Sequence, residues 1–156
     1  SCLIGTWHFP GHQDFCSNFS ARLGATGARV VECNPGTGEV TFAADGTATS
    51  SETGQHIVVN MSPGLTMQID QQMQSSGRWS TNGAELQLCD ATSTLSGVQI
   101  ISGGGQTRSN PVNQTAPTSA AGATFACTPT TLTITSREAP GAFLGIGPEM
   151  VLQRRR

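Results

Sequence analysis

The stretch Gly77-Arg78-Trp79-Ser80-Thr81-Asn82-Gly83-Ala84-Glu85-Leu86-Gln87-Leu88-Cys89 decides the fold class of this chain. Its second arm alternates polar and apolar residues, with Leu86 and Leu88 on one side and Glu85 and Gln87 on the other. That period of two gathers the leucines on one face of a strand, whereas a helix would scatter them. Asn82-Gly83 between the arms is a hairpin signal, because a two-residue loop needs residues that tolerate positive φ. An antiparallel hairpin is therefore expected here.

The same grammar recurs in both directions. Upstream, residues 66–73 set Met67, Ile69 and Met73 on one side, and residues 57–61 end at Ser62-Pro63-Gly64. Residues 39–44 place Val40, Phe42 and Ala44 on one face, and Asp45-Gly46 turns them into residues 47–51. Residues 29–33 run into Asn34-Pro35-Gly36, and residues 3–9 alternate around Gly5 and Trp7. Downstream come residues 98–101, a hairpin of 125–127 with 131–135 about Thr128-Pro129, and a closing strand over 149–153. The sum is about ten short strands separated by turn residues. A single helix of a few turns is expected over 13–23, where Phe15, Phe19 and Leu23 recur at helical spacing. Residues 103–122 are rich in Gly, Ser, Thr, Asn and Pro without a period, and read as a long, mobile, solvated loop.

Composition agrees with one all-β domain spanning 1–156. The chain has 156 residues, 36% hydrophobic and only 12% charged, enough to bury a core and too few for two ordinary domains. Ser, Thr, Gly, Asn and Gln suit strands with polar outer faces. All eight basic residues are arginines, the formal net charge is −2 and the pI is about 5.8. The only basic cluster is Arg154-Arg155-Arg156, so the broad cationic footprint of a nucleic-acid binder is missing. No apolar run reaches the ~20 residues of a transmembrane helix.

Five cysteines, Cys2, Cys16, Cys33, Cys89 and Cys127, stand far apart with no C-x-x-C pair. Such spacing reads as two disulfides and one leftover thiol in a secreted or periplasmic, cell-envelope protein whose signal peptide has been removed. The alternative is a cytosolic chain with buried thiols. Spacing does not select a pairing. The expected one is Cys16–Cys33 with Cys89–Cys127, leaving Cys2 as a lipid-anchor candidate behind the small residue Ser1. Cys2 could instead pair with Cys89 or Cys127, or with another chain. Asn18, Asn60 and Asn113 open N-glycosylation sequons, and Asn113 in the expected loop is the best placed.

The order of these features resembles the lipocalin-like domains of exported bacterial proteins. The resemblance rests on Gly5-Thr6-Trp7, on Phe42-x-x-Asp45-Gly46-Thr47, and on Gly77-x-Trp79-x-x-x-Gly83-x-x-Leu86-x-Leu88. It continues in Cys127-x-x-x-x-Leu132-Thr133-Ile134-Thr135 and a last strand ending in Arg154. It implies an antiparallel up-and-down β-barrel of about eight to ten strands. It also implies that Trp7 packs at the closed end with Arg154 across its face, and Trp79 is the second structural tryptophan. A barrel of about eight strands is wide enough either to fill with side chains or to hold one small ligand.

Two functional expectations follow. In the first, the chain is a non-catalytic binding module holding a small apolar molecule, with Phe42, Met61, Met67, Ile69 and Met73 lining the cavity. In the second, it is a structural or interaction subunit whose barrel is filled and whose edges meet protein partners or further copies. An enzyme is third, because no nucleophile elbow, phosphate loop or paired-carboxylate pattern occurs, and Gly103-Gly104-Gly105 lacks the lysine and helix of a phosphate cradle. Asp70 and Asp90 read as solvated carboxylates. His8, His12 and Cys16 recur every fourth residue, but Pro10-Gly11 interrupts a helix and a disulfide would remove Cys16, so neither metal nor cofactor is expected.

Overall fold

The computed structural model of the chain describes residues 2–11, 13–24, 26–118, 121–137 and 149–155. In chain order the elements are β1 (Gly5–Phe9), α1 (Gln13–Gly24), β2 (Arg29–Asn34), β3 (Thr37–Phe42), β4 (Thr47–Ser62) and β5 (Leu65–Asn82). They continue with β6 (Glu85–Gly103), β7 (Gln106–Thr118), β8 (Ala121–Cys127), β9 (Thr131–Ser136) and β10 (Glu149–Arg154). Every pairing is antiparallel. The all-β expectation holds.

Eight strands close a ring. Following the ladders, β1 meets β3, then β4, β5, β6, β8, β9 and β10, and β10 returns to β1. Apart from the omitted β2 and β7, that is sequence order, as local hairpin connections dictate. β4, β5 and β6 are longer than the ring requires, at 16, 18 and 19 residues. Their far halves leave the ring and, with β2 and β7 at the two edges, form a five-stranded extension in the order β2-β4-β5-β6-β7. Sequence reading divides each of these strands at polar stretches such as Thr53-Gly54 and Gln74-Ser75-Ser76. The strands run through them with register shifts between Glu52 and Gln55 and between Ser76 and Arg78. Opposite the second shift Asp90 takes φ 52°, a left-handed conformation that aspartate tolerates better than most side chains.

The hairpin loops obey turn chemistry, with one correction. Asn82 pairs with Glu85, so the loop is Gly83-Ala84 rather than Asn82-Gly83. Gly83 has φ 61° while Ala84 stays negative, which is the type II′ requirement for glycine at the first loop position. The expected loop over 103–122 is a second correction. Gly104 and Gly105, both at positive φ, make a tight turn, and β7 then runs beside β6 from Gln106 to Thr118. Except for Val112 its side chains from 106 to 117 are exposed, so no apolar period marks it as a strand.

Two cores result. Inside the ring Leu3, Trp7, Val40, Phe42, Leu86, Leu88, Leu132, Ile134 and Leu152 are 0–1% exposed. Burial of each large side chain contributes about 1.5–3 kcal/mol. Gly38 has no side chain because the Phe9 ring occupies the space a Cβ would need. The smaller core lies in the extension, where Ile57, Val59 and Ala28 are buried and Phe19 and Leu23 of α1 pack on them with Val30, Cys33 and Met67. Between the cores sits a polar waist: Gln55 donates to Glu52 (2.8 Å), Gln71 donates to Gln55 (2.9 Å), and the Ser75 and Ser93 hydroxyls bond at 2.8 Å. Buried polar groups are tolerable when bonded in this way.

Candidate interaction surface

Inside the ring the Trp7 indole N–H donates to Leu3 O at 2.8 Å. The Arg154 guanidinium stands 4.6 Å from the Trp7 ring centroid and donates to Cys2 O (2.8 Å) and Ile4 O (3.1 Å). Such a cation–π contact is worth about 0.5–2 kcal/mol. Gly5, at φ 136°, passes beneath the guanidinium, a backbone conformation that a larger residue rarely adopts. Trp79 meets Phe42 edge-on (5.6 Å, 80°) and donates to Ala43 O at 3.0 Å.

The disulfides are Cys16–Cys33 and Cys2–Cys127, with Cα separations of 5.9 and 6.2 Å. Cys89–Cys127 is thus corrected, and Cys89 is free and exposed. The register Leu88↔Ala121 explains why. Cys89 sits beside one end of β8 and Cys127 at the other, about 20 Å away at ~3.3 Å per residue, beyond disulfide reach. Cys2, its sulfur bonded to Cys127, is not a lipid attachment point in this structure. The spacing His8, His12, Cys16 does not build a ligand set either: His8 is on β1, Cys16 is in a disulfide, and His12 lies outside the described residues. Among the described residues no group of three His, Cys, Asp or Glu is arranged to hold a metal, and no helix is long and apolar enough to cross a membrane.

The five residues expected around a small apolar ligand do not converge. Phe42 is sealed in the ring core, Met67 packs in the extension core, and Met61 is exposed. Ile69 and Met73 share the sheet face of Met67 and, like it, are half-buried. Phe42 is on β3 and Met61 on β4, while Met67, Ile69 and Met73 share one face of β5, so the five do not surround one cavity. Of the sequon residues, Asn60 and Asn113 are exposed on strands β4 and β7.

Sequence reading left Asp70 isolated and solvated; its side chain is 41% exposed but not isolated. Its Oδ1 meets His56 Nδ1 at 2.5 Å, its Oδ2 accepts from Gln68 at 2.6 Å, and Glu32 Oε2 lies 3.5 Å from His56 Nε2. The hydrogen bond to Asp70 raises the His56 pKa above 6.5, and the same bond holds Asp70 below 3.8. The cluster spans β2, β4 and β5 on the sheet face opposite Ile57. Only a register that puts His56 beside Asp70 brings it together, and no local motif announces that pairing.

The two edges of the extension differ. β2 is short, kinked by a register shift between Val30 and Glu32, tied through Cys33 to α1, and packed against that helix. β7 runs 13 residues, pairs only with β6 among the described residues, and carries one charge, Arg108. Its guards are Pro111 and Pro117, which share parity and so lack an N–H on the same edge. A paired strand accommodates proline where that N–H faces away from the ladder. By that rule Thr107, Ser109, Asn113 and Thr115 carry the outward N–H groups. Compared with known proteins, the chain matches no family model, no curated protein and no solved structure.

Proposed function

We propose that this protein is a non-catalytic, exported interaction module: a filled lipocalin-like barrel that acts as scaffold for an extension whose β7 edge receives a strand from a polypeptide partner. The observation that carries this reading is the contrast between a ring interior occupied by Trp7, Phe42 and their leucine and isoleucine neighbours and a 13-residue edge strand with a single charge. A carrier would need its ligand where those side chains already stand, and natural edge strands are usually blunted by charge, proline, bulges or a covering element. Of these β7 has one charge and the two prolines, leaving outward N–H groups at Thr107, Ser109, Asn113 and Thr115. Strand addition uses backbone hydrogen bonds for affinity, which fits an edge whose side chains are small and polar. Export is supported by the two disulfides.

The test is native mass spectrometry of the protein from its natural source, with hydrogen exchange on the recovered complex. A bound polypeptide that slows exchange at Thr107, Ser109, Asn113 and Thr115, and is lost on Asn113→Pro, is the expected outcome. A small-molecule adduct released on denaturation, with those amides exchanging freely, would overturn it in favour of a carrier.

A further inference from the structure

The outer wall of the molecule, across β3 to β6 where ring passes into extension, is hollowed into a cavity of about 370 Å³. Its lining follows from register. Thr41, Thr49, Ser76 and Thr92 are successive cross-strand partners and form one row. Glu39, Ser51, Gln74 and Thr94 form the next. Neighbours within a row stand ~4.8 Å apart and the rows ~6.6 Å apart, as strand geometry requires. Each row is pinned at one end: the Thr6 and Thr41 hydroxyls bond at 2.9 Å, and the Thr94 and Thr115 hydroxyls at 3.0 Å.

We infer that this hollow is a binding site for a neutral, polyhydroxylated chain, a glycan lying across the strands. The chemistry of the lining excludes other classes. The hollow is lined by Ser, Thr, Gln and Glu side chains alone, so an apolar ligand would meet their methyls and methylenes but leave the hydroxyls and the amide without partners. Its one charge is Glu39, shared at 3.8 Å with His8 Nδ1 and at 3.8 Å with Arg155, so it offers little to a cation and repels an anion. An added peptide strand needs unpaired backbone groups, and these four strands have spent theirs on one another.

Serine and threonine hydroxyls each donate and accept, which matches sugar hydroxyls in either sense. Gln74 adds an amide of both polarities, and the Glu39 carboxylate accepts from paired hydroxyls. Concavity converts what would be a hydrated wall into a surface that contacts a ligand from several sides. With no aromatic side chain in the lining, single sugars bind weakly and affinity grows with the number of rows engaged. Among the described residues this site touches β7 only through the Thr94–Thr115 hydroxyl bond, and it does not rest on strand addition at that edge.

The test uses the full chain and four neutral probes: maltohexaose, cellohexaose, laminarihexaose and chitohexaose, titrated to millimolar concentration. Binding is read from the Gln74 side-chain amide and the backbone amides of Thr49 and Thr92 by NMR. At least one hexaose is expected to shift these signals saturably while the β7 amides of Thr107 and Ser109, far from Thr115, stay put, with Gln74→Ala and Thr49→Val each weakening binding about tenfold. Thr94→Val, on the second row, serves as a further variant should either of those fold poorly. The inference is overturned if no hexaose gives a saturable shift, or if binding survives in all well-folded variants.

Discussion

The ring and the extension are built from the same three long strands, yet they are stabilised in different ways. The ring closes on itself, has no edges, and buries fourteen residues in one cluster. The extension has two edges and a core of three buried residues under a single helix. Ring closure brings partners from both ends of the chain, as Trp7 with Arg154 and Cys2 with Cys127. Most extension contacts are between sequence neighbours across Pro63-Gly64 and Gly104-Gly105. The ring therefore sets global stability, while the extension is free to open locally and to meet partners.

The sharpest way to break that comparison is to hollow out the ring. Trp7→Ala removes a fully buried indole, its bond to Leu3 O and the platform under Arg154. A loss of about 3–5 kcal/mol is expected, read as one cooperative shift of the thermal transition. If instead β7 and α1 melted first and the ring signal held, the ring would not be the dominant unit.

Next in size is the Cys2–Cys127 tie. It closes a sequence separation of 125 residues against 17 for Cys16–Cys33, and in the chain-entropy view a longer loop gains more, with ~2–4 kcal/mol typical. Cys127→Ala with Cys2→Ala should thus cost more global stability than Cys16→Ala with Cys33→Ala, whose effect should concentrate on exchange in α1 and β2. Equal effects on denaturant midpoints would show that the two regions unfold as one.

The same contrast explains what was legible beforehand. Ring strands bury one face, so Val40-x-Phe42, Leu86-x-Leu88 and Leu132-x-Ile134 show the period of two plainly. The extension has a weakly covered face and an open one, so β7 shows no period, and polar waist residues such as Gln55, Gln71 and Ser75 look like breaks between short strands. The hairpin residues were visible, but the Gly83-Ala84 loop was displaced by one because Asn82-Gly83 and Gly83-Ala84 satisfy different turn types. The residues expected around a ligand did not share a location, because Phe42 belongs to the ring core and Met61, Met67, Ile69 and Met73 to the extension strands β4 and β5. The hollow on the outer wall was invisible to local patterning, because its rows exist only through register among four strands.

A third, smaller perturbation tests locality directly. Ile57→Val trims one methylene beneath α1 and should cost about 0.5–1.5 kcal/mol. The comparison requires that this loss appear as faster exchange in α1, β2 and the far half of β4, with the global midpoint nearly unmoved. An equal loss of protection at Leu132 and Ile134 would merge the two cores.

The smallest effect is a pH dependence confined to the extension. His56 bridges Asp70 of β5 and Glu32 of the edge strand β2. Its pKa is raised above 6.5 by the hydrogen bond to Asp70, so the folded state holds the proton more tightly than the unfolded chain. That contribution is complete below the unfolded value and fades as pH rises through the raised one. Asp70 acts at the other end: its pKa is lowered below 3.8 by His56, so its share is present above 3.8 and is lost as pH falls through the folded value. Both groups are partly exposed, so screening keeps the effect modest. Exchange at the β2 amides should accelerate more between pH 6 and 8.5 than the intrinsic rate predicts. That excess should vanish in His56→Gln, while amides in β9 and β10 follow the intrinsic rate in both proteins. Should β9 and β10 show the same excess, the His56 cluster would be coupled to the ring, and the polar waist would have to be a conduit between the cores rather than a boundary.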